Sequence, residues 1–178
     1  MGRWFSFALL LFGLTPARSA TLERLSLADM IAQSTAIVRA KVTGSYAVRR
    51  GPVIYTYYSI QTAEQLKGPK PAAVAVPGGN LNNLRQTFPG APALKTGDEF
   101  VFFLWTGSSG ITQIMGLTQG LFRISPGESG DAVATRAATS ELMLERGTGR
   151  QVKDQTVVMN LSELRSRIAS QLGQGGTR

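Results

Sequence analysis

One stretch of the chain, residues 53–68, has the longest run of residues that favour β-strands. Tyr, Val, Ile and Thr dominate it, and these side chains suit a pleated, half-buried surface. Apolar residues of one parity allow one face of the strand to be buried: Ile54, Tyr58, Ile60 and Leu66. Gly-Pro pairs precede and follow the run, as turn signals do. A strand of this length usually bends and pairs on both sides.

Before this strand, the pattern predicts a helix and a second strand. Ser26 and Asp29 have the spacing of a capping box, which predicts a helix over residues 27–34. Residues 36–43 alternate between apolar and polar, which predicts a strand with Ala36, Val38, Ala40 and Val42 facing inward. Residues 44–52 then predict a basic hairpin loop, and the long strand follows.

After the long strand, short apolar runs predict further strands, separated by turns. They lie at residues 72–76, 99–105, 111–115, 121–124 and 156–159, with an edge strand at 132–137. After Glu99 the run at 99–105 is continuously apolar, so both of its faces should be buried. Residues 95–98 predict a turn, and residues 77–92, rich in Gly, Pro and Asn, predict a loop. A loop of this length is often functional, and the alternative is an ordinary mobile excursion.

The C-terminal part of the chain predicts two helices. Residues 140–146 have a weak pattern that allows a short helix ending at Gly147. Asn160 and Glu163 have the spacing of a capped helix start, and one apolar face follows: Leu161, Leu164, Ile168 and Leu172. We expect a single, mainly β domain over residues 21–172, with a small antiparallel sheet or barrel and a disordered tail at 173–178.

The first 20 residues have the three parts of a secretory signal peptide. Arg3 is basic, residues 4–14 are apolar but too short to span a bilayer, and small residues follow up to Ala20. Two cleavage positions remain open, one after Ser19 and one after Ala20. Cleavage after Ala20 would place Arg18 at position −3. The alternatives are a buried helix or an uncleaved anchor. We expect an extracytoplasmic protein, periplasmic or secreted, with no transmembrane segment after cleavage.

The composition excludes several classes of chemistry. The 178-residue chain has no Cys and no His, so Ser-His-Asp and Cys-His catalysis and a structural zinc site are excluded. Asp98-Glu99 is a tandem acidic pair, but neighbours on a strand point to opposite faces. We therefore expect no enzyme, no cofactor and no metal.

The net charge is +8, and without residues 1–20 it is 17 basic against 11 acidic residues, or +6. The basic residues concentrate between Arg39 and Arg85, where only Glu64 opposes them. This half of the chain could face an anionic partner. For any single residue, a solubilising surface is the simpler interpretation.

Several short motifs carry a family resemblance over roughly residues 26–125. They are Ile37-Val38-Arg39-Ala40-Lys41-Val42 after a helix, Leu66-Lys67-Gly68 after a long strand, and then Val76-Pro77-Gly78-Gly79 and Pro89-Gly90-Ala91-Pro92. The first two segments resemble netrin-like domains and the inhibitory domain of the tissue inhibitors of metalloproteinases. The last three segments, from Leu66-Lys67-Gly68 onward, more closely resemble segments of uncharacterised exported bacterial proteins.

This resemblance implies an OB-like antiparallel five-stranded barrel with an N-terminal and a C-terminal helix. It does not imply inhibition, because the family's inhibitors place an N-terminal Cys amine and carbonyl on the zinc of the protease. This chain has no Cys, so no inhibitory residue can be carried over.

Two functional hypotheses follow. The first is an exported non-enzymatic protein-interaction module, with a secreted peptidase as one partner that it would bind or modulate. Its candidate binding residues are Asn80, Arg85 and Phe88 in the long loop. The alternative is binding of an anionic polymer or surface (acidic glycan, lipid headgroup or nucleic acid) through Arg39, Lys41, Arg49 and Arg50. Export separates the chain from most nucleic acid, which is therefore the least expected partner.

Two tyrosines of the long strand allow two interpretations. Tyr55 and Tyr57 share the outward parity of that strand, and aromatic rings beside cations can stack bases. We prefer the alternative that the C-terminal helix covers them, because its apolar face needs an apolar partner.

Overall fold

The computed structural model describes residues 20–128 and 130–175. Within these ranges the protein is mainly β, with thirteen strands and two helices. The strands are β1 (Thr21–Glu23), β2 (Ala36–Arg50), β3 (Val53–Lys67), β4 (Ala73–Pro77), β5 (Gly79–Leu81), β6 (Leu84–Gln86), β7 (Glu99–Thr106), β8 (Thr112–Ile114), β9 (Leu121–Ser125), β10 (Val133–Arg136), β11 (Leu142–Leu144), β12 (Gln151–Val152) and β13 (Val157–Asn160). The helices are α1 (Leu27–Gln33) and α2 (Leu161–Gly175). Apart from Ala20, the predicted signal peptide lies outside the described residues, as do positions 176–178 of the predicted tail.

The main sheet has eight strands, whereas the family resemblance implied a five-stranded barrel. Its order is β13-β10-β9-β7-β2-β3-β4-β8, and β8 also pairs with β7. The path of pairings from β7 through β2, β3, β4 and β8 therefore returns to β7. All of these pairs are antiparallel except β4 with β8, which is parallel. Two small sheets, β1-β11-β12 and β5-β6, complete the structure.

Two hydrophobic clusters pack on the two faces of the main sheet. The inner cluster consists of Ala36, Val38, Ala40, Val42, Tyr58, Ile60, Val74, Val76, Leu94, Phe100, Phe102, Leu104, Ile114 and Leu121. The helix-side cluster consists of Met30, Ile31, Ile37, Val101, Phe103, Phe122, Ala134, Leu161, Leu164 and Ile168. Successive residues of β7 from Phe100 to Leu104 alternate between the clusters, which confirms for them the prediction that this strand is buried on both faces, whereas Trp105 is 47% exposed.

The helix α1 forms as its capping box predicts. The Asp29 N–H donates to Ser26 Oγ at 3.0 Å, and the Ser26 N–H donates to Asp29 Oδ2 at 3.1 Å. Ser26 Oγ also donates to Asp29 Oδ2 at 2.6 Å, and the two hydrogen bonds that the carboxylate accepts from Ser26 favour its ionised form and lower the pKa of Asp29. At the other end of α1, Lys67 Nζ donates to the Ile31 and Ala32 carbonyl oxygens at 2.6 and 3.1 Å. Partial burial lowers the pKa of Lys67.

The predicted loop at residues 44–52 is wrong. The strand β2 continues to Arg50, and β3 pairs with it along its whole length. Only Gly51 and Pro52 form the turn, with Gly51 at φ 58°. Pairing with β3 satisfies the backbone groups of this polar segment, so a pattern that lacks apolar alternation still forms a strand.

The predicted helix at 140–146 is also wrong. Leu142–Leu144 form β11, which pairs in parallel with Thr21–Glu23. A short apolar run does not distinguish helix from strand, and the partner that decides here lies more than a hundred residues away in the sequence. The strand β10 is not an edge strand, because it lies between β9 and β13.

The helix α2 buries the predicted face and begins directly after Asn160, as predicted. Leu161, Leu164 and Ile168 are buried in the helix-side cluster. The first helical N–H groups are bound by the segment before β10: Leu161 donates to the Ala132 carbonyl at 2.7 Å, and Ser162 donates to the Asp131 carboxylate. The hydrogen bonds from Ser162 hold the pKa of Asp131 below its usual range. No described helix is long and apolar enough to cross a membrane.

Candidate functional site

The three residues predicted from the long loop line one pocket. Asn80, Arg85 and Phe88 surround a cavity of about 210 Å³, together with Tyr58 and Val76. The last two also belong to the inner cluster, so the pocket opens directly over the core. Its remaining lining residues are Thr56, Pro77, Gly78, Gly79, Gln86, Thr87, Ala91, Pro92 and Ala93.

A small hairpin forms one wall of this pocket, where the sequence predicted only loop. Strands β5 and β6 pair antiparallel, with Asn80 opposite Arg85. Asn82 and Asn83 make the turn, with φ values of 48° and 63°. Two adjacent residues with positive φ are typical of the type I′ turn that suits a two-residue hairpin, and Asn tolerates this backbone well. The pair Asn80 and Arg85 therefore projects from one face of the hairpin.

The outer parts of β2 and β3, residues 44–59, form a paired extension that we call the β2–β3 arm. One side chain fixes the small hairpin to the tip of this arm. Gln86 Oε1 accepts a hydrogen bond from the Ile54 N–H at 2.6 Å, and Gln86 Nε2 donates to the Pro52 carbonyl at 3.3 Å. The sequence did not predict Gln86 as an anchor. Its signal was weak, because a single Gln in a loop does not identify its partners.

Two glycines bring the chain close enough to make this contact. Gly78 N–H donates to the Ile54 carbonyl at 2.7 Å, and Thr56 Oγ1 donates to the Gly78 carbonyl at 2.8 Å. A Cβ atom on Gly79 would lie 2.5 Å from Thr56 Oγ1, so only glycine fits there. The Val76-Pro77-Gly78-Gly79 motif thus has a structural role: it places the hairpin against β3.

The Pro89-Gly90-Ala91-Pro92 motif forms the opposite wall of the pocket. The Ala91 N–H donates to the Phe88 carbonyl at 3.2 Å, which closes a tight turn. Gly90 has φ 75°, and a Cβ atom there would lie 2.8 Å from Glu141 Cγ. The turn therefore packs against the side chain of Glu141 and leaves Phe88 half-buried at the pocket.

The pocket is lined by apolar side chains and by side chains that can hydrogen-bond. Its lining contains no carboxylate, and Arg85 is its only cationic side chain. Among the described residues, Arg85 has no salt bridge, and no group of three possible metal ligands exists. Leu84, which the sequence analysis missed, is 56% exposed on the same hairpin. Exposed apolar and arginine side chains around a small pocket are features of protein-binding surfaces.

The tandem acids Asp98 and Glu99 bind two different arginines. Arg123 donates to both oxygens of Asp98, at 2.7 and 3.2 Å, whereas Arg39 donates to Glu99 at 2.6 Å. Asp98 also accepts a hydrogen bond from the Lys95 N–H, which confirms the predicted turn. The contact with Arg123 holds the pKa of Asp98 below its usual range. The two carboxylates therefore stabilise the sheet and do not share a proton.

The predicted basic patch is not one surface. Arg39 is occupied by Glu99, and Arg49 Nε donates to the Gly51 carbonyl at 3.0 Å. Arg49 and Arg50 point to opposite faces of the β2–β3 arm because they are neighbours on a strand. In the described part of the chain, Lys41, Arg49 and Arg50 make no salt bridge.

The tyrosines of the arm form a stacked group, and the prediction that α2 covers them is wrong. The rings of Tyr46 and Tyr57 stack with centroids 5.4 Å apart and an interplanar angle of 10°, and Tyr55 lies 6.4 Å from Tyr57. Tyr46 is 52% exposed. The helix α2 follows β13 directly, and its buried residues belong to the helix-side cluster. None of these tyrosines belongs to that cluster.

The Leu66-Lys67-Gly68 motif also has a structural explanation. Lys67 binds the end of α1, and Gly68 has φ 62° with the Thr35 carbonyl oxygen only 1.9 Å from where a Cβ atom would be.

Comparisons of the chain with protein-family models, with curated proteins and with solved structures find no match. The resemblance to netrin-like domains therefore stays a prediction that rests on these motifs.

Proposed function

We propose that the protein is an exported, non-enzymatic interaction module that binds a protein partner at the pocket between the β5–β6 hairpin and residues 88–93. A secreted peptidase is the partner class we favour. The observation that carries the proposal is the convergence of Asn80, Arg85 and Phe88 on one pocket. An apolar side chain of the partner would enter over Tyr58 and Val76, and Arg85 would bind a carbonyl or carboxylate beside it.

We further propose that the sheet is an OB-like barrel carrying a three-stranded extension. The closed path of pairings through β2, β3, β4, β8 and β7, with β4 and β8 parallel, supports this interpretation. The strands β9, β10 and β13 would form the extension, with α2 packed on it. In such a barrel the pocket lies at an open end, where loops bind ligands without disturbing the core.

The test uses the chain from Ala20, immobilised and exposed to the extracytoplasmic fraction of the producing cell at low and high salt. We expect a defined protein to be retained at high salt. Arg85→Ala with Phe88→Ala should weaken its binding by about 30-fold or more, since a hot spot contributes roughly 2 kcal/mol or more. The matched control is Arg150→Ala with Val158→Ala, two side chains that are 74% and 62% exposed far from the pocket in sequence. Equal binding by both double variants would contradict the proposed site.

A second candidate function is binding of an anionic polymer along the tyrosine group. The observation that favours it is the exposed Tyr46 ring, with Arg50 on the same face of the arm. Aromatic rings stack planar or sugar rings, while cations bind the acidic groups. On an immobilised acidic glycan, Tyr46→Ala with Arg50→Ala should lower the salt concentration needed for elution, whereas Phe88→Ala should not. Retention that is indifferent to salt would remove this candidate.

A further inference from the structure

The backbone nitrogen of Ala20 lies against a carboxylate. The Ala20 nitrogen is 2.7 Å from Glu141 Oε2, in a partly buried contact between positions 121 residues apart. Directly after Ala20, β1 pairs in parallel with β11, and Thr21 is opposite Leu142. The Arg24 N–H extends this pairing by donating to the Leu144 carbonyl at 2.9 Å. The first residues of the described chain are therefore held in a defined register.

The carboxylate of Glu141 is positioned by other parts of the protein. Its backbone N–H donates to Thr139 Oγ1 at 3.2 Å. Its side-chain stem fills the space beside Gly90, where a Cβ atom would lie 2.8 Å from Glu141 Cγ. Leu117 reaches the same space, with its Cδ1 3.2 Å from that position. The stem of Glu141 thus packs beside Gly90 and Leu117, and its carboxylate accepts the hydrogen bond from Ala20.

We propose that Glu141 is the receptor for a new N-terminus, created by cleavage of the Ser19–Ala20 peptide bond. In that hydrolysis water adds across the bond: Ser19 leaves as a carboxylate, and Ala20 keeps the nitrogen, which is protonated to an ammonium group. The ammonium then forms an ion pair with Glu141 at the position that its nitrogen already occupies. A charged donor roughly doubles the strength of such a hydrogen bond.

The geometry distinguishes this position from the neighbouring one. Cleavage one residue later, after Ala20, would remove the nitrogen that contacts Glu141 and leave the new amino group on Thr21. Thr21 is exposed and already in β1. Cleavage after Ser19 also places Ala17 and Ser19 at positions −3 and −1, which suits a signal peptidase. The sequence left the two positions open, and the Glu141 contact selects the first.

This inference rests on the export that the proposed function assumes, but not on the pocket. The first measurement is the N-terminal sequence and intact mass of the protein recovered from outside the cytoplasm. We expect Ala20 as the first residue. A mature chain that begins at Thr21, or that keeps residues 1–19, would overturn the inference. A chain that begins at Ala20 yet binds no partner would contradict the proposed function alone.

The second measurement tests the ion pair itself. Two chains that begin at Ala20 are compared, one with a free amino group and one with an N-terminal acetyl group, which keeps the N–H but removes the charge. Glu141→Gln should lower the melting temperature of the free-amine chain by about 2–4 °C, and that of the acetylated chain by clearly less. Glu163→Gln, on the exposed face of α2, is the control and should shift both chains equally. An equal effect of Glu141→Gln in both chains, or none in the free-amine chain, would overturn the inference.

Discussion

The buried ion pair between Arg136 and Asp154 gives the sharpest prediction for stability. Their side chains are 8% and 1% exposed, and they join through two hydrogen bonds of 3.2 and 2.8 Å. Arg136 also donates to the Gln155 carbonyl at 2.8 Å, and the Thr139 N–H donates to Asp154 at 2.9 Å. The pair thereby ties β10 to the segment that leads from β12 to β13.

Asp154→Ala would leave a guanidinium group buried without its counter-ion. Breaking a buried pair in this way costs about 3–5 kcal/mol, because the remaining charge stays desolvated. For a chain of this size we expect the melting temperature to fall by about 6–20 °C. Urea unfolding at pH 7 measures the free-energy difference, and Glu163→Ala, which removes an exposed pair with Arg167, should cost within about 0.5 kcal/mol.

The ion pair between Arg136 and Asp154 also predicts how the free-energy cost of Asp154→Ala depends on pH. Burial acts to raise the pKa of Asp154, but the Thr139 N–H, the Arg136 guanidinium and the Gln155 N–H outweigh it, so the pKa lies below its ordinary value of 3.8. A lowered folded-state pKa stabilises the protein above the unfolded value, and this contribution is lost as pH falls through the folded-state pKa. The difference in free energy of unfolding between the wild type and Asp154→Ala should therefore narrow only below about pH 4. A cost under about 1 kcal/mol at pH 7 would refute this reasoning.

Two further predictions concern the motifs around the site. Gly68→Ala should destabilise the protein by more than about 1 kcal/mol, because the new Cβ atom would collide with the Thr35 carbonyl as well as require a positive φ. Gly147→Ala has a positive φ but open space, so urea unfolding of both variants separates collision from backbone strain. Gln86→Ala should speed amide hydrogen exchange at Ile54 with little change at the core strands. Unchanged exchange there would show that Gln86 does not hold the hairpin.

Local signals in the sequence predicted those elements that local contacts decide. The capping box of α1 needs only Ser26 and Asp29, and the strand at 99–105 was identified by its unbroken apolar run. Elements that depend on distant partners were missed. Residues 44–50 become a strand through pairing with β3, and Leu142–Leu144 through pairing with β1.

The candidate site could be predicted in part for the same reason. A long Gly- and Pro-rich segment indicated a functional loop, and its polar and aromatic residues Asn80, Arg85 and Phe88 meet at the pocket. The hairpin in that loop depends on the anchor at Gln86, whose partners lie over thirty residues earlier. Charge along a chain does not reveal which residue of the predicted basic patch, such as Arg39, is already paired across the sheet.

Site-specific photocrosslinking tests the proposed binding surface most directly. A photoreactive phenylalanine analogue would replace Leu84, beside the pocket, or Val158 on β13; the two are 56% and 62% exposed. With the extracytoplasmic fraction of the producing cell, we predict a discrete crosslinked protein from position 84 and none from position 158. Phe88→Ala should abolish the product at position 84. The same product from both positions, or its persistence in Phe88→Ala, would contradict the proposed site.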